Sequence, residues 1–265
     1  MVKPAALYLL TFIFSCALPA LAKKRETGFL DRTVTVGDVT YRYQVFVPAN
    51  FDRHKSWPIV LFLHGAGERG DNGLLQTDVG LGRAIRQYPR DLPFVVVMPQ
   101  CRADRAWISA DMQAQALAAL EQSIKEFHAD RNRVYLTGIS MGGYGTWDLA
   151  AKYPTKFAAF VVICGGIHGP ERFPQLHVSL VDDPNVSDPY AETARRIGKT
   201  PVWIFHGAAD DAVPVEESRK MARALEDAHA NVRYTEYPGV GHNSWDRAYA
   251  EPGLIDWLLE QKLGK

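Results

Sequence analysis

Hydrophobic and polar residues alternate over Thr33–Val36 and again over Thr40–Val47, with Gly37 and Asp38 between them. Period two on both sides of a Gly-Asp pair predicts a β-hairpin. Beyond it the pattern changes to short, unbroken apolar runs: Pro58–His64, Phe94–Met98, Val134–Thr137, Phe157–Ile163, Val202–Phe205 and Val232–Tyr237. Runs without alternation are expected of strands covered on both faces. Between them lie segments with helical period. The clearest is Asp111–Phe127, which sets Leu117, Leu120, Ile124 and Phe127 on one face. Others are predicted near Leu74–Gln87, Met141–Lys152, Val215–His229 and Gly253–Lys262. Strands alternating with helices predict an α/β class: a mostly parallel sheet, helices on both faces, right-handed crossovers. Gly165–Pro189 has no clean period and is predicted to be a long loop at the strand ends, where specificity loops sit. No internal repeat or long linker divides the chain.

The first residues follow a different pattern. Lys3 precedes an apolar stretch, Ala5–Leu21, interrupted only by Thr11, Ser15 and Pro19, and Ala20-Leu21-Ala22 then gives way to Lys23, Lys24 and Arg25. A positive start, an apolar middle and a small-x-small end predict a secretory signal peptide over residues 1–22 and a single catalytic domain over 23–265. A retained membrane anchor would need a longer apolar stretch, and a lipoprotein signal at Cys16 would tolerate Phe14 poorly. The expected location is therefore exported, periplasmic or extracellular, with no stable membrane span after cleavage.

Composition narrows the function classes. Thirty basic and 30 acidic residues give no net charge, so nothing marks a nucleic-acid surface. A 47% hydrophobic content excludes a disordered chain. Export permits a disulfide between Cys101 and Cys164, although spacing alone does not decide it. Neither cysteine, nor any of the eight histidines, falls in a metal-binding spacing.

The residues suited to chemistry begin where a strand meets a helix. Val134–Thr137 runs into Gly138-Ile139-Ser140-Met141-Gly142-Gly143 and then a helix. A sharp turn there would expose the Ser140 hydroxyl, with Gly138 and Gly142 leaving room for neighbouring backbone. A serine hydroxyl needs a base and a group that orients the base. Asp210, in the turn after Val202–Phe205, and His242, after Val232–Tyr237, supply them in the order Ser, Asp, His. Asp211 competes with Asp210, and one of the pair is expected to cap the helix at Val215. The glycine loop Gly65-Ala66-Gly67 follows the first long strand. Ala66 and Met141 N–H groups are the candidate oxyanion donors, and Glu68 and Arg69 are expected to pair and brace the loop. His64 and His206 are read as structural, each bonded to loop backbone. His168 and His177 lie in the expected loop and are read as solvated, with lining of a substrate groove as the alternative. Trp107 and Tyr144 are the candidate substrate-binding aromatics.

Leu-His-Gly-Ala-Gly-Glu-Arg-Gly at 63–70, Gly-Ile-Ser-Met-Gly-Gly at 138–143, His-Gly-Ala-Ala-Asp-Asp-Ala-Val-Pro at 206–214 and Gly-His at 241–242 resemble the α/β-hydrolase superfamily. The likeness is to secreted carboxylesterases and predicted peptidases related to prolyl oligopeptidases. Feruloyl esterases and polyhydroxyalkanoate depolymerases have a similar nucleophile region. The resemblance implies an eight-stranded sheet with Ser140, Asp210 and His242 at strand ends. It also implies a serine hydrolase acting on a small-molecule or polymer-linked ester without a cofactor. Dienelactone hydrolases use a cysteine nucleophile, where this chain has Ser140. Prolyl oligopeptidases carry a propeller, for which the stretch before the hairpin leaves no room, and this favours an esterase over a peptidase or amidase. A catalytically silent binding protein on the same scaffold is the alternative outside enzymes; the complete Ser, Asp and His set argues against it.

Overall fold

The computed structural model describes Met1, residues 26–87 and residues 92–264. The expected signal peptide lies outside the described residues, apart from Met1. The chain forms one eight-stranded sheet in the order β1-β2-β4-β3-β5-β6-β7-β8. Its strands are β1 (Gly28–Val36), β2 (Val39–Val47), β3 (Trp57–Leu63), β4 (Val95–Pro99), β5 (Ala129–Ile139), β6 (Ala159–Ile163), β7 (Val202–Gly207) and β8 (Val232–Tyr237). The expected hairpin is β1 and β2, registered from Gly28↔Val47 to Val36↔Val39. β2 lies antiparallel to β4, and every later pairing is parallel. This is the α/β-hydrolase fold.

The unbroken apolar strands are explained by two covers. α2 (Ala110–Glu126), α3 (Met141–Lys152), α4 (Pro189–Ile197) and α5 (Val215–Asp227) contribute to one core, which takes Ile59, Leu61 and Leu63 from β3. α1 (Leu81–Gln87), α6 (Trp245–Ala248) and α7 (Leu254–Glu260) contribute to the other, which takes Val60 and Phe62. Successive side chains of one strand thus enter opposite cores. Each such aliphatic or aromatic side chain contributes about 1.5–3 kcal/mol by leaving water.

Strand order also locates the site. From β3 the chain passes to β4 on one side; from β5 it passes to β6 on the other. Connections that leave neighbouring strands in opposite directions open a crevice at their carboxyl ends. The glycine loop follows β3 and Ser140 follows β5, so both motifs meet at this switch point.

Three departures from the pattern have local causes. The helix expected over Leu74–Gln87 is a single 3-10 turn, Leu75–Thr77, followed by α1. Gly80 between them has φ 61°, which a continuing helix cannot contain. Within the expected long loop, Ser179–Asp182 forms another 3-10 turn. α4, which begins at Pro189, the last residue of that loop, was not predicted from the hydrophobic period. Asp188 caps it, accepting from the N–H groups of Tyr190 and Ala191, and proline stands at its first position. The short helix α6 was likewise not apparent from the sequence pattern. Cys101 and Cys164 are both buried and free, so the disulfide permitted by export is not formed. Among the described residues no helix is long and apolar enough to cross a membrane.

Candidate active site

Ser140 sits between β5 and α3 at φ 50°, ψ −118°. A non-glycine residue pays for such a conformation in strain, and surrounding bonds must hold it. The Ser140 N–H donates to the Ile163 carbonyl at the end of β6 (3.0 Å), while its carbonyl accepts from Gly143 N–H (2.7 Å). The turn also needs bare backbone on both sides. A Cβ on Gly138 would strike the Gly142 carbonyl, and one on Gly142 would strike the Leu63 carbonyl. The elbow therefore turns as tightly as expected.

The structure brings Ser140, His242 and Asp210 together. The Ser140 hydroxyl lies 2.9 Å from His242 Nε2, and His242 Nδ1 lies 2.8 Å and 3.0 Å from the two Asp210 oxygens. A carboxylate only accepts, so Nδ1 carries the hydrogen and Nε2 is left to accept from Ser140. The Asp210 side chain is fully buried, whereas that of His242 is 25% exposed. Trp245 packs edge-on against the imidazole, with ring centroids 5.4 Å apart.

Asp210 is held from several directions. Oδ1 accepts from the N–H groups of Ala212 and Val213, at 2.9 Å each. Oδ2 lies 3.1 Å from His206 Nε2. Burial alone would raise its pKa, but hydrogen bonds from His206, His242 and Val213 outweigh this and hold the carboxyl far below the usual range. The turn and the imidazole therefore use one carboxylate. Asp211 is exposed. Neither aspartate caps α5 as expected, because Pro214 occupies the cap position without a side-chain bond.

The glycine loop passes directly beside the nucleophile. A Cβ on Gly65 would stand 3.8 Å from Ser140 Cβ. Ala66 opens a 3-10 turn, Ala66–Glu68, and Met141 opens α3. First-turn N–H groups have no acceptor within their own helix, so both are placed to serve another oxygen. Among the described residues Glu68 and Arg69 do not pair as expected; each braces the loop through backbone groups. Burial pushes the Glu68 pKa up while its carboxyl is bonded to Gly65 backbone. Arg69 donates to the Ala66 carbonyl at 3.0 Å.

His64 is fully buried beneath the loop. Its Nδ1 is 2.6 Å from the Gly65 carbonyl, and Nε2 accepts from Cys101 N–H at 2.9 Å. These partners assign the hydrogen to Nδ1, and burial lowers its pKa to about 4. His206 is equally buried and does bond loop backbone, at the Val213 carbonyl. Its contact with Asp210 was not apparent from the sequence.

The two aromatic candidates are elsewhere than expected. Trp107 is fully buried, donating its indole N–H to the His64 carbonyl at 2.9 Å, and its Cβ fills the place a Gly145 side chain would occupy. Tyr144 is fully buried too, with its hydroxyl donating to the His168 carbonyl at 3.1 Å. Both support loops from beneath instead of lining a mouth. Trp245, only partly buried, is in ring contact with His242.

Cys164, Asp210 and His242 place potential ligand atoms within 4.8 Å of one another. Asp210 and His242 are already bonded to each other, and burial raises the Cys164 pKa far above that of a free thiol. The donor set is thus that of a hydrogen-bonded relay with a neutral thiol beside it.

The profile of the Dienelactone hydrolase family matches residues 95–250. The solved structure of a thermostable esterase superposes with a TM-score of 0.73 at 31% identity, covering 88% of this chain and 63% of that one. Acetylxylan esterase A of Emericella nidulans is 25% identical over 234 residues, or 77% of this chain and 73% of that protein. An uncharacterized secreted protein of Arthroderma benhamiae is 25% identical over 84% of this chain, which spans a quarter (25%) of that protein's length.

Proposed function

The chain belongs to the dienelactone hydrolase family, and from that premise we propose that it is an exported serine hydrolase cleaving carboxylic esters through an acyl-enzyme. One observation carries the reading: an unbroken line of hydrogen bonds from the strained Ser140 through His242 to the buried Asp210. Ser140 Oγ attacks the ester carbonyl as His242 Nε2 takes its proton. The oxyanion is received by the N–H groups of Ala66 and Met141. His242 then returns the proton to the departing alcohol. Water, deprotonated by the same imidazole, releases the acid and restores Ser140. Asp210 keeps the ring in the required tautomer and stabilises the imidazolium that forms twice per cycle.

Export is supported by the residue pattern of the first 22 positions and by likeness to a secreted protein. Likeness to an acetylxylan esterase supports short acyl groups on polymer-linked alcohols as substrates. A p-nitrophenyl ester chain-length series, run beside matched p-nitroanilides, tests the reading. Turnover of short esters, absent in Ser140→Ala, is expected. Preferential turnover of the anilides would make the protein an amidase instead, and no turnover of either would remove the hydrolase reading.

A further inference from the structure

Asp210 faces two histidines, and the esterase mechanism uses only one. The second, His206, is the penultimate residue of β7, four residues before Asp210, and is fully buried. Its Nε2 lies 3.0 Å from the Val213 carbonyl and 3.1 Å from Asp210 Oδ2. Both neighbours are acceptors, so a hydrogen must sit on Nε2; it is bonded to the Val213 carbonyl and lies beside the Asp210 carboxylate. Nδ1 lies 2.7 Å from the Ser218 hydroxyl, which reaches in from α5 and is itself fully buried. Ser218 is thus placed to donate to Nδ1 and to keep the hydrogen at the other end of the ring.

Resting on the esterase reading, we propose that His206 is a positioning residue: its single Nε2–H, set by Ser218, fixes the Asp210 carboxylate and shares its negative charge, so that His242 is oriented without being made too strong a base. The arrangement is a sequence of two imidazoles joined by one carboxylate. Without His206, Oδ1 would stay bonded to the Ala212 and Val213 N–H groups, while Oδ2 would face His242 alone and would stabilise the His242 imidazolium more strongly. Other titratable groups around the pair are arranged not to substitute for His206. From β8, Glu236 stands opposite His206 in register and is neutralised by Arg219. Just after β6, Cys164 is a buried thiol. From α3, Tyr144 is a buried phenol bonded to the His168 carbonyl. On α5, Glu217 accepts from Ile167 and His168 N–H groups and from Tyr190. None of these is bonded to the Asp210 oxygens, so His206 has no understudy.

The test compares His206→Phe, His206→Gln and Ser218→Ala with wild type, following kcat/KM for p-nitrophenyl acetate against pH. Circular dichroism checks each fold. Loss of the N–H that stands 3.1 Å from a buried carboxylate predicts a fall in kcat/KM of about tenfold to a hundredfold in His206→Phe, carried by kcat. The acid limb should move to higher pH, because His242 then faces a less shared charge. Glutamine can place an N–H where Nε2 stood and is expected to restore most of both. Ser218→Ala, which frees the ring tautomer, should move the limb in the same direction by less. A folded His206→Phe with the wild-type acid limb, or a glutamine variant no better than phenylalanine, would overturn the proposal. If phenylalanine prevents folding, an unmoved limb in Ser218→Ala overturns it. Proton NMR of the His242 Nδ1–H separates this from failure of the esterase reading. That downfield signal should change in the His206 variants even if wild type hydrolyses no ester, and an unchanged signal counts against the proposal.

Discussion

At the scale of single residues, the site works by fixing hydrogens. Asp210 accepts from His242 and from two backbone N–H groups, and His206 Nε2 stands 3.1 Å from Oδ2; each contact leaves the carboxyl less able to take a proton. Asp210→Asn keeps the shape but presents an amide that can donate to Nδ1, so the ring is held in the wrong tautomer. Turnover is expected to fall about a thousandfold to ten-thousandfold with KM little changed, by analogy with the same substitution in other Ser-His-Asp enzymes; a loss below tenfold would show that Asp210 does not orient the base. His64 has a different consequence. Burial holds it neutral down to about pH 4, whereas in the unfolded chain it binds a proton near pH 6.5. Between those values the unfolded state carries more protons, so stability falls as pH drops through this window. The urea midpoint of wild type should decline from pH 6.5 to about 4, with a shallower decline in a folded His64→Gln; equal slopes would assign the decline to other groups. Asp210 acts lower still, since its depressed pKa contributes stability above the unfolded carboxylate value and loses it only in stronger acid.

At the scale of elements, local pattern and long-range packing were unequally legible. The turn at Ser140 could be read because strand, glycine spacing and helix are contiguous, and the Ser, Asp, His order needs only strand ends. Trp107 could not be placed in the same way. It follows a strand end, as a substrate wall would, yet it turns inward because Gly145 on α3 leaves a gap of its size. That pairing spans two elements and has no trace in either segment alone. The second contact of Asp210 is similar: His206 and Asp210 are four residues apart, but only the turn between them brings the ring onto the carboxylate. α4 was missed for another reason. It is short and mostly polar, burying only Thr193, Ala194 and Ile197, and its start is set by Asp188 and Pro189. Asp188→Ala should therefore cost about 1 kcal/mol, lowering Tm by about 2–4 °C; an unchanged Tm would show that the cap adds nothing.

At the scale of the molecule, two apolar cores share one sheet, and the switch in strand order leaves a crevice between β3 and β5. Everything proposed about function converges there: the loop after β3 carries Ala66, the turn after β5 carries Ser140, and the turns after β7 and β8 deliver Asp210 and His242. The rest of the fold holds these four loop ends in register. A strained serine beside a correctly tautomerised histidine should be reactive before any natural substrate is known. Fluorophosphonate labelling of the purified protein, with the adduct located by peptide mass spectrometry, measures that reactivity directly. A single adduct on Ser140, lost in Ser140→Ala and slowed strongly in Asp210→Asn, is the expected result. A folded wild-type protein that takes up no label, or takes it elsewhere, would contradict the assembled Ser140, His242 and Asp210 site.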